Sequence, residues 1–244
     1  MYRRNGQTVV LTLRYSRMVA GMATPEMLTL LRKREGWEGA VAKLKSLAEQ
    51  KGDDARGAAK VYANVYEGRR GAMVFDVVAS RQRKYTTRVL PLVSKWEAAV
   101  SAPTLSAMAS TPLIAKDYGL TSGEPTTMRT VAANLLELAD DAGLSEDEAC
   151  RLWAEGVDGL QHAYMLDPVV GSVSGIGPAL FAYMRMRCGA NALKPDVRVA
   201  EALRGLGFTT PGDAHSVITI AQGAAAEIDL DLLSLDQLLW SWKD

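Results

Sequence analysis

Residues 173–184 read Val-Ser-Gly-Ile-Gly-Pro-Ala-Leu-Phe-Ala-Tyr-Met, and the fold prediction starts from this stretch. Gly175 and Gly177 surround one apolar residue, Ile176, and Pro178 stands where a helix would begin. Glycine accepts positive φ and lets a partner approach the backbone, and proline suits the first turn of a helix. The stretch therefore predicts a hairpin turn that opens a helix over residues 178–187, with free N–H groups that suit a phosphate. The same pattern also fits an ordinary tight turn.

Helix signals follow one another along the rest of the chain. A threonine before Pro25 and a serine three residues before Glu148 are typical N-terminal caps, and Gly52 and Gly143 stand where helices would end. Glycines at 68 and 71 predict a loop, and residues 7–14 alternate weakly enough to fit a strand or a helix. The other predicted helices cover residues 24–34, 37–50, 55–67, two segments of 73–96 separated near 80–87, 126–142, 146–157, 214–226 and a last one after 233.

Composition excludes several classes of protein. The chain has 244 residues, 48% of them hydrophobic, and its 28 basic residues balance 28 acidic ones, so a nucleic-acid surface would have to be a local patch. Two cysteines cannot form a disulfide framework or a four-cysteine metal site. We find neither a signal peptide nor an apolar run of membrane-spanning length. We expect a cytoplasmic, monomeric protein that does not contact a membrane.

Two further segments give the glycine turn a specific context. Asp196 heads a predicted helix in Leu-Lys-Pro-Asp-Val-Arg-Val-Ala, residues 193–200, one helix after the turn. Residues 75–89 read Phe-Asp-Val-Val-Ala-Ser-Arg-Gln-Arg-Lys-Tyr-Thr-Thr-Arg-Val, an apolar run that ends in Ser-x-Gln before two threonines. Together these segments resemble the helix-hairpin-helix DNA glycosylase superfamily over residues 73–208.

The resemblance implies an all-α, two-lobed fold with a helix-hairpin-helix motif. We expect a single two-lobed domain over residues 1–244, with the glycosylase-like core at 73–208 and a flanking helical lobe from 1–72 and 209–244. The partner implied is double-stranded DNA from which one base is flipped out. The hairpin residues implied to contact it are Gly175, Ile176, Gly177 and Ala179, and the resemblance also makes Gln82 a candidate DNA contact near the lesion strand.

The resemblance makes Asp196 the catalytic carboxylate, which would stabilise a cationic sugar or activate water during cleavage of the glycosidic bond. The alternative is that Asp196 only caps its helix. Lys194 is expected to contact phosphate, with a role as nucleophile as the alternative.

Other candidate residues come from charge and aromatic character. Arg81, Arg83 and Lys84, with Arg88 nearby, form the best basic patch, and a solvated helix face is the alternative. Three aromatic residues are candidates for stacking on a flipped base, although helical spacing is also typical of core residues; these are Trp153, Tyr164 and Tyr183.

The chain also departs from the family pattern. Ala179 stands where glycosylases that also cut the DNA strand carry a lysine, so the resemblance implies a monofunctional enzyme. Phe181 stands where the family has a small residue, and the four iron–sulfur cysteines are missing, so Leu235, Leu238 and Trp240 are expected to close the carboxy-terminal region.

We predict no organic cofactor and no metal site, apart from a monovalent cation that the family suggests at the hairpin. His162 and His215 lack metal-ligand spacing and are expected to be structural.

Three functions remain open from the sequence. The first is a monofunctional DNA glycosylase that acts on a damaged or modified base. The second is an enzyme on the same fold that installs or exchanges groups on modified thymines in phage DNA. The third is a non-catalytic helical protein that binds DNA.

Overall fold

The computed structural model of the chain describes residues 23–242, and this part is helical with no strand. The all-α prediction is therefore confirmed for the described residues, and the ambiguous segment 7–14 lies outside them. Single short turns of other helix types occur at Tyr85–Val89 (π) and at Ala115–Tyr118, Asp158–Leu160 and Tyr164–Leu166 (3₁₀). The α-helices are α1 (Pro25–Leu31), α2 (Trp37–Asn64), α3 (Arg70–Ala79), α4 (Leu90–Glu97), α5 (Leu105–Ser110), α6 (Glu124–Ala142), α7 (Glu146–Gly156), α8 (Pro178–Arg187), α9 (Val197–Leu206), α10 (Ala214–Glu227) and α11 (Leu232–Ser241).

Side-chain caps start the helices where the sequence predicts them. Thr24 Oγ1 accepts a hydrogen bond from the N–H of Met27 at 3.2 Å, which fixes the start of α1. Ser145 and Glu148 form a reciprocal capping box at the start of α7. Asp213 Oδ1 accepts from the N–H of Ser216 at 2.8 Å at the start of α10.

The prediction that Gly52 ends a helix is wrong, because α2 continues unbroken through residues 37–64. Glycine within a helix costs about 1 kcal/mol relative to alanine. The buried side of α2 runs through Leu44, Gly52, Ala55 and Ala59, and α11 lies along this helix, so packing outweighs the glycine penalty. The loop predicted at 68–71 is also shorter than expected, since α3 begins at Arg70.

Two large hydrophobic clusters organise the described residues. One is built by buried side chains between residues 66 and 190, and the other joins residues 31–55 to residues 193–239. A small third cluster connects α2, α8 and α11 through Ala59, Met186 and Leu233, with Ala192. The middle of the chain thus builds one core while the segments on either side of it share the second, and α9 belongs to this second core.

Helices α3 and α8 are the most buried elements. All ten residues of α3 are buried, as are residues 180–187 of α8. Both helices nevertheless carry charges, and each charge meets a partner: Arg70 pairs with Asp147, Arg185 with Asp158 at 2.5 Å, and Arg187 with Asp76 at 3.1 Å. Burial of a charge is tolerated in proteins where it is paired and hydrogen-bonded.

The carboxy-terminal closure differs in one residue from the expectation. Leu235 and Leu238 are buried as expected, but Trp240 is 46% exposed, with the guanidinium of Arg198 stacked 3.5 Å from its ring. Trp242 packs in its place, against Gly205, where a Cβ would lie 2.0 Å from the indole ring. None of the helices in residues 23–242 has the length and apolar character needed to span a bilayer.

The contact between α3 and the segment before α5 leads to a first prediction. A Cβ on Gly71 would lie 2.0 Å from the carbonyl oxygen of Thr104, which is backbone and cannot rotate away. We expect Gly71→Ala to lower the free energy of unfolding by about 3 kcal/mol, as overpacking does. Gly57→Ala, on the exposed side of α2 with open space around the new Cβ, is the control and should raise it by about 0.5–1 kcal/mol. Urea unfolding of the two variants measures both effects, and equal stabilities would contradict the close approach of α3 to Thr104.

Candidate functional site

In the glycine turn, Gly175 has the positive φ that the sequence predicts and Gly177 does not. Gly175 has φ of 93°, a region that favours glycine, and Ile176 is 7% exposed and anchors the turn in the first core. Thr127 on α6 donates its hydroxyl to the carbonyl of Ser174 at 2.7 Å, and a Cβ on Gly175 would lie 2.6 Å from the same hydroxyl. Gly175 is thus required both by its φ and by the close approach of α6.

Gly177 plays a different role in the turn. Its backbone is extended, with φ of −115°, and it is the N-cap of α8 without any side-chain capping hydrogen bond. A Cβ at this position would meet open space. Space is therefore open beside Gly177 at the start of α8, where the sequence predicts that N–H groups contact a phosphate.

The segment before the turn is organised by one carboxylate. Asp167 accepts hydrogen bonds from the N–H groups of Val169, Val170 and Gly171 at 3.1, 2.9 and 2.8 Å, and from the indole of Trp153 at 3.1 Å. These bonds fold residues 168–175 into successive turns. An α-helix consequently flanks the glycine turn on its carboxyl side only.

A cavity of about 670 Å³ opens beside the turn. Its lining includes Ser174 and Gly175 of the turn, Arg81, and apolar residues such as Val78 and Val173. Hydroxyl and amide groups also line it, from Thr121, Thr126, Thr127, Thr130, Asn134 and Ser172. Two DNA contacts predicted from distant parts of the sequence, the hairpin and Arg81, thus line the same cavity.

The other residues of the predicted basic patch line a second cavity, of about 490 Å³. Gln82 has φ of 54°, a left-handed conformation unusual for a residue other than glycine. Lys84 and Arg88 are exposed along this cavity. Arg83 is held by Glu124 through contacts of 2.6 and 2.8 Å, so its guanidinium braces α6. Burial opposes the ionisation of Glu124, but the hydrogen bonds from Arg83 and Thr121, together with the charge of Arg83, outweigh it and place the pKa of Glu124 below its usual range.

Asp196 and Lys194 lie together at the start of α9. Asp196 Oδ1 accepts the N–H of Val199 at 3.1 Å, which is the capping bond, and Oδ2 lies 3.5 Å from the Lys194 ammonium. The side chains of both residues are partly exposed, at 28% and 22%. Lys194 also lies 4.4 Å from the ring centroid of Tyr183 on α8. Three of the predicted site residues are therefore neighbours.

Tyr183 belongs to a buried polar group that we call the junction cluster, in which aromatic residues surround an ion pair. Its hydroxyl donates to Asp76 Oδ2 at 2.9 Å and accepts from Arg187 at 2.9 Å. The Arg187 guanidinium lies 3.7 Å from the ring centroid of Tyr62. The members of the junction cluster are Tyr62, Tyr66, Asp76, Tyr85, Tyr183 and Arg187.

Burial sets the protonation of the junction cluster. It raises the pKa of the Asp76 carboxyl above its usual range, although the Arg187 guanidinium acts in the opposite direction. It also raises the pKa of the Tyr62, Tyr66 and Tyr183 phenols, which remain neutral hydrogen-bond donors. Among the described residues, Asp76 Oδ1 and Arg187 Nε have no hydrogen-bond partner, a feature that occurs at functional sites.

The other two predicted base-stacking residues lie elsewhere. Trp153 and Tyr164 each pack against Phe181, with ring centroids 5.8 Å apart in both pairs. Phe181 is 1% exposed, so the large residue at this position is accommodated by its aromatic neighbours in the first core. Of the three aromatic candidates, Tyr183 is the one whose ring lies against Lys194.

The carbonyl oxygens of the hairpin are the groups that would bind the monovalent cation that the family suggests. The carbonyl oxygens of Val173, Ser174 and Gly177 accept hydrogen bonds from Ile176, Thr127 and Phe181 at 3.0, 2.7 and 2.9 Å. Each of these three oxygens accepts a hydrogen bond within the protein, and the cation at the hairpin stays a prediction.

Several residues of the site were missed from the sequence. Asp76 gave a usable signal, because it interrupts the apolar run 72–79, where a charge implies a buried partner. Arg187 and Tyr85 gave none, since the hydrogen bond between them joins side chains 102 residues apart in the chain.

Comparisons with models of protein families, with curated proteins and with solved structures find no match for this chain.

Asp236 on α11 supports the backbone of Lys194 and supplies a second prediction. Its Oδ1 accepts the N–H of Lys194 at 3.1 Å, and burial, with the nearby charge of Asp196, raises its pKa to about 7. In the unfolded chain an aspartate titrates near 4, so the folded state binds the extra proton between about pH 4 and 7. Stability from this group is therefore lost as the pH rises through that window.

We expect a ¹³C-carboxyl NMR titration of Asp236 to give a midpoint near 7. We also expect the stability of Asp236→Asn relative to the wild type to increase from about pH 4 to 7 and to level off above it. A midpoint near 4 would show that the carboxylate is solvated in the folded protein.

Proposed function

We propose that this protein acts on a base flipped out of DNA and cleaves its N-glycosidic bond, as a monofunctional glycosylase. The observation that supports this most directly is the partly exposed Asp196 carboxylate, which lies 3.5 Å from the Lys194 ammonium, and that ammonium lies 4.4 Å from the ring centroid of Tyr183. A carboxylate that faces the reacting sugar can stabilise the cationic character of the transition state.

Asp196 is suited to hold one orientation during such a reaction. Its Oδ1 is fixed by the backbone of α9, and its Oδ2 is directed towards Lys194. The fixed carboxylate would stabilise positive charge on the sugar or accept a proton from the attacking water. Lys194 would balance the charge of Asp196 before substrate binds and attract the DNA backbone. Capping and catalysis are compatible, because they use different oxygens.

The junction cluster would form the wall of the base pocket. Tyr62 and Tyr85 are half-buried, while Tyr183 is held rigid by Asp76 and Arg187. The partly exposed rings of Tyr62 and Tyr85 suit stacking with an extruded base.

The backbone of the same strand would pass the start of α8. Gly177 and Tyr183 are six residues apart, which corresponds to about 9 Å along the helix axis. One strand could therefore contact the N–H groups at the turn and reach Asp196. The cavity lined by Ser174, Gly175 and Arg81 also adjoins the turn.

The decisive experiment is a mass-spectrometric screen of DNA that carries diverse lesions and phage-type modified bases, after incubation with the protein. A released free base supports the proposal. A base whose mass changes while the base stays attached to its sugar would contradict the glycosylase proposal and favour the enzyme that modifies bases. DNA that is bound but chemically unchanged across the screen would favour the non-catalytic protein.

The carboxylate is tested by Asp196→Asn. If Asp196 is catalytic, turnover should fall by about a hundredfold or more with DNA affinity retained, because asparagine cannot stabilise the charge or accept the proton. Asparagine caps nearly as well, so the melting temperature should stay close to that of the wild type. Asp213→Asn is the matched control, since Asp213 caps α10 in the same way and is exposed. Equal turnover of the two variants would exclude Asp196 from the chemistry.

The turn is tested by Gly177→Val. Apart from Gly177 and its two chain neighbours, no residue lies within 4 Å of a Cβ at this position, so the fold should tolerate the substitution. The valine side chain would keep a phosphate away from the N–H groups of α8. Loss of charge-assisted hydrogen bonds should weaken DNA binding about tenfold or more, equally for all sequences. Gly212→Val, also in open space, serves as the control and should bind normally. Unchanged affinity of Gly177→Val would show that DNA does not approach the turn.

A further inference from the structure

The chain contains two histidines in 244 residues, and the fold brings them together. His162 lies between the 3₁₀ turns Asp158–Leu160 and Tyr164–Leu166, and His215 lies in the first turn of α10. Their Nδ1 atoms are 3.4 Å apart and their ring centroids 5.5 Å apart, across 53 residues of sequence. Both side chains are exposed, so the pair is open to solvent.

The spacing of the two nitrogens matches one kind of metal coordination. Zinc binds imidazole nitrogen at about 2.0–2.1 Å, and two such bonds at the tetrahedral angle place the nitrogens about 3.3–3.4 Å apart. Adjacent ligands of a square-planar ion at the same bond length would be about 2.9 Å apart. We propose that the Nδ1 atoms of His162 and His215 together bind a divalent transition-metal ion of the zinc class.

The neighbours of the pair suit a bound cation. Asp213, two residues before His215, interacts electrostatically with it, so negative charge is already present at the site.

The number of ligands sets the character of the site. In the described part of the chain, no group of three or more His, Cys, Asp or Glu side chains could hold a metal ion. The protein therefore supplies two nitrogen ligands, and water completes the coordination, which gives an exchangeable ion rather than a closed structural site. Imidazole ligands select zinc, cobalt, nickel or copper over magnesium and calcium, which prefer oxygen.

The ion would connect the two hydrophobic cores. The segment of His162 is attached to the first core through Tyr164, whereas α10 contributes Val217 and Ile220 to the second. A ligand that binds only the folded protein stabilises it by mass action. Saturation with zinc should therefore raise the melting temperature.

The test uses the full-length, untagged protein after treatment with a chelator. Cobalt chloride is titrated in and its visible d–d absorption recorded, because tetrahedral cobalt absorbs much more strongly than octahedral cobalt. We expect one equivalent of cobalt to give a tetrahedral spectrum, zinc sulfate to displace it and magnesium chloride to leave it unchanged.

Two variants locate the site. His162→Gln and His215→Gln change exposed side chains, so both should fold, which thermal melts without metal verify. Each should weaken cobalt binding by at least about tenfold and abolish the zinc-dependent rise in melting temperature. Wild-type affinity for cobalt in both variants would show that the ion binds elsewhere. Absence of cobalt binding by the wild type would contradict the proposal and show that the two imidazoles only form a hydrogen bond with each other.

Discussion

The ion pair between Asp76 and Arg187 holds the centre of this protein together. Asp76 lies on a helix that is buried along its whole length, and Arg187 lies in the buried last turn of another. Removal of either partner would leave an uncompensated charge in the interior, which typically costs about 3–5 kcal/mol. Helices α3 and α8 can therefore pack only in an arrangement that preserves this pair.

The same pair also fixes several elements around it. Tyr62 brings the end of α2 onto the Arg187 guanidinium, Tyr85 brings the π turn onto it, and Arg70 donates to the carbonyl oxygen of Arg187 at 3.0 Å. Residues of α2, α3, α8 and the π turn thus meet around one arginine. Since the second core begins again at Leu193, directly after this meeting point, the start of α9 is held next to the junction cluster.

This arrangement explains why the proposed site occurs where it does. Charged groups buried in a core need fixed hydrogen-bond partners, and the fixed hydroxyl of Tyr183 gives Lys194 a rigid aromatic surface. Two contacts then orient the Asp196 carboxylate, one with a backbone N–H of α9 and one with the Lys194 ammonium. Preorganised groups of this kind are what catalysis by electrostatic stabilisation requires. The stability of the core and the geometry of the site therefore depend on the same side chains.

The local elements of the fold follow from the sequence alone. Thr24, Ser145 and Asp213 predicted helix starts correctly, because a cap needs only a hydrogen bond to a residue three positions away. The glycine turn was predictable for the same reason, since φ at Gly175 and the proline that opens α8 are properties of adjacent residues. Gly52 misled the prediction, because its local preference was outweighed by packing of α2 against a helix near the other end of the chain.

Tertiary packing, by contrast, sets which charges and rings meet. Arg83 belonged to a plausible DNA-binding patch by sequence, yet Glu124, 41 residues away, engages its guanidinium. Asp76 and Arg187 become a pair, and His162 and His215 become neighbours, only when segments distant in sequence pack together. Hydrophobic burial drives that packing and is not directional, so no local pattern states which polar groups it will bring into contact. The helices, the turn and the role of Asp196 as a cap were therefore readable from the sequence, whereas the surroundings of that carboxylate depend on how α2, α3, α8 and α9 pack.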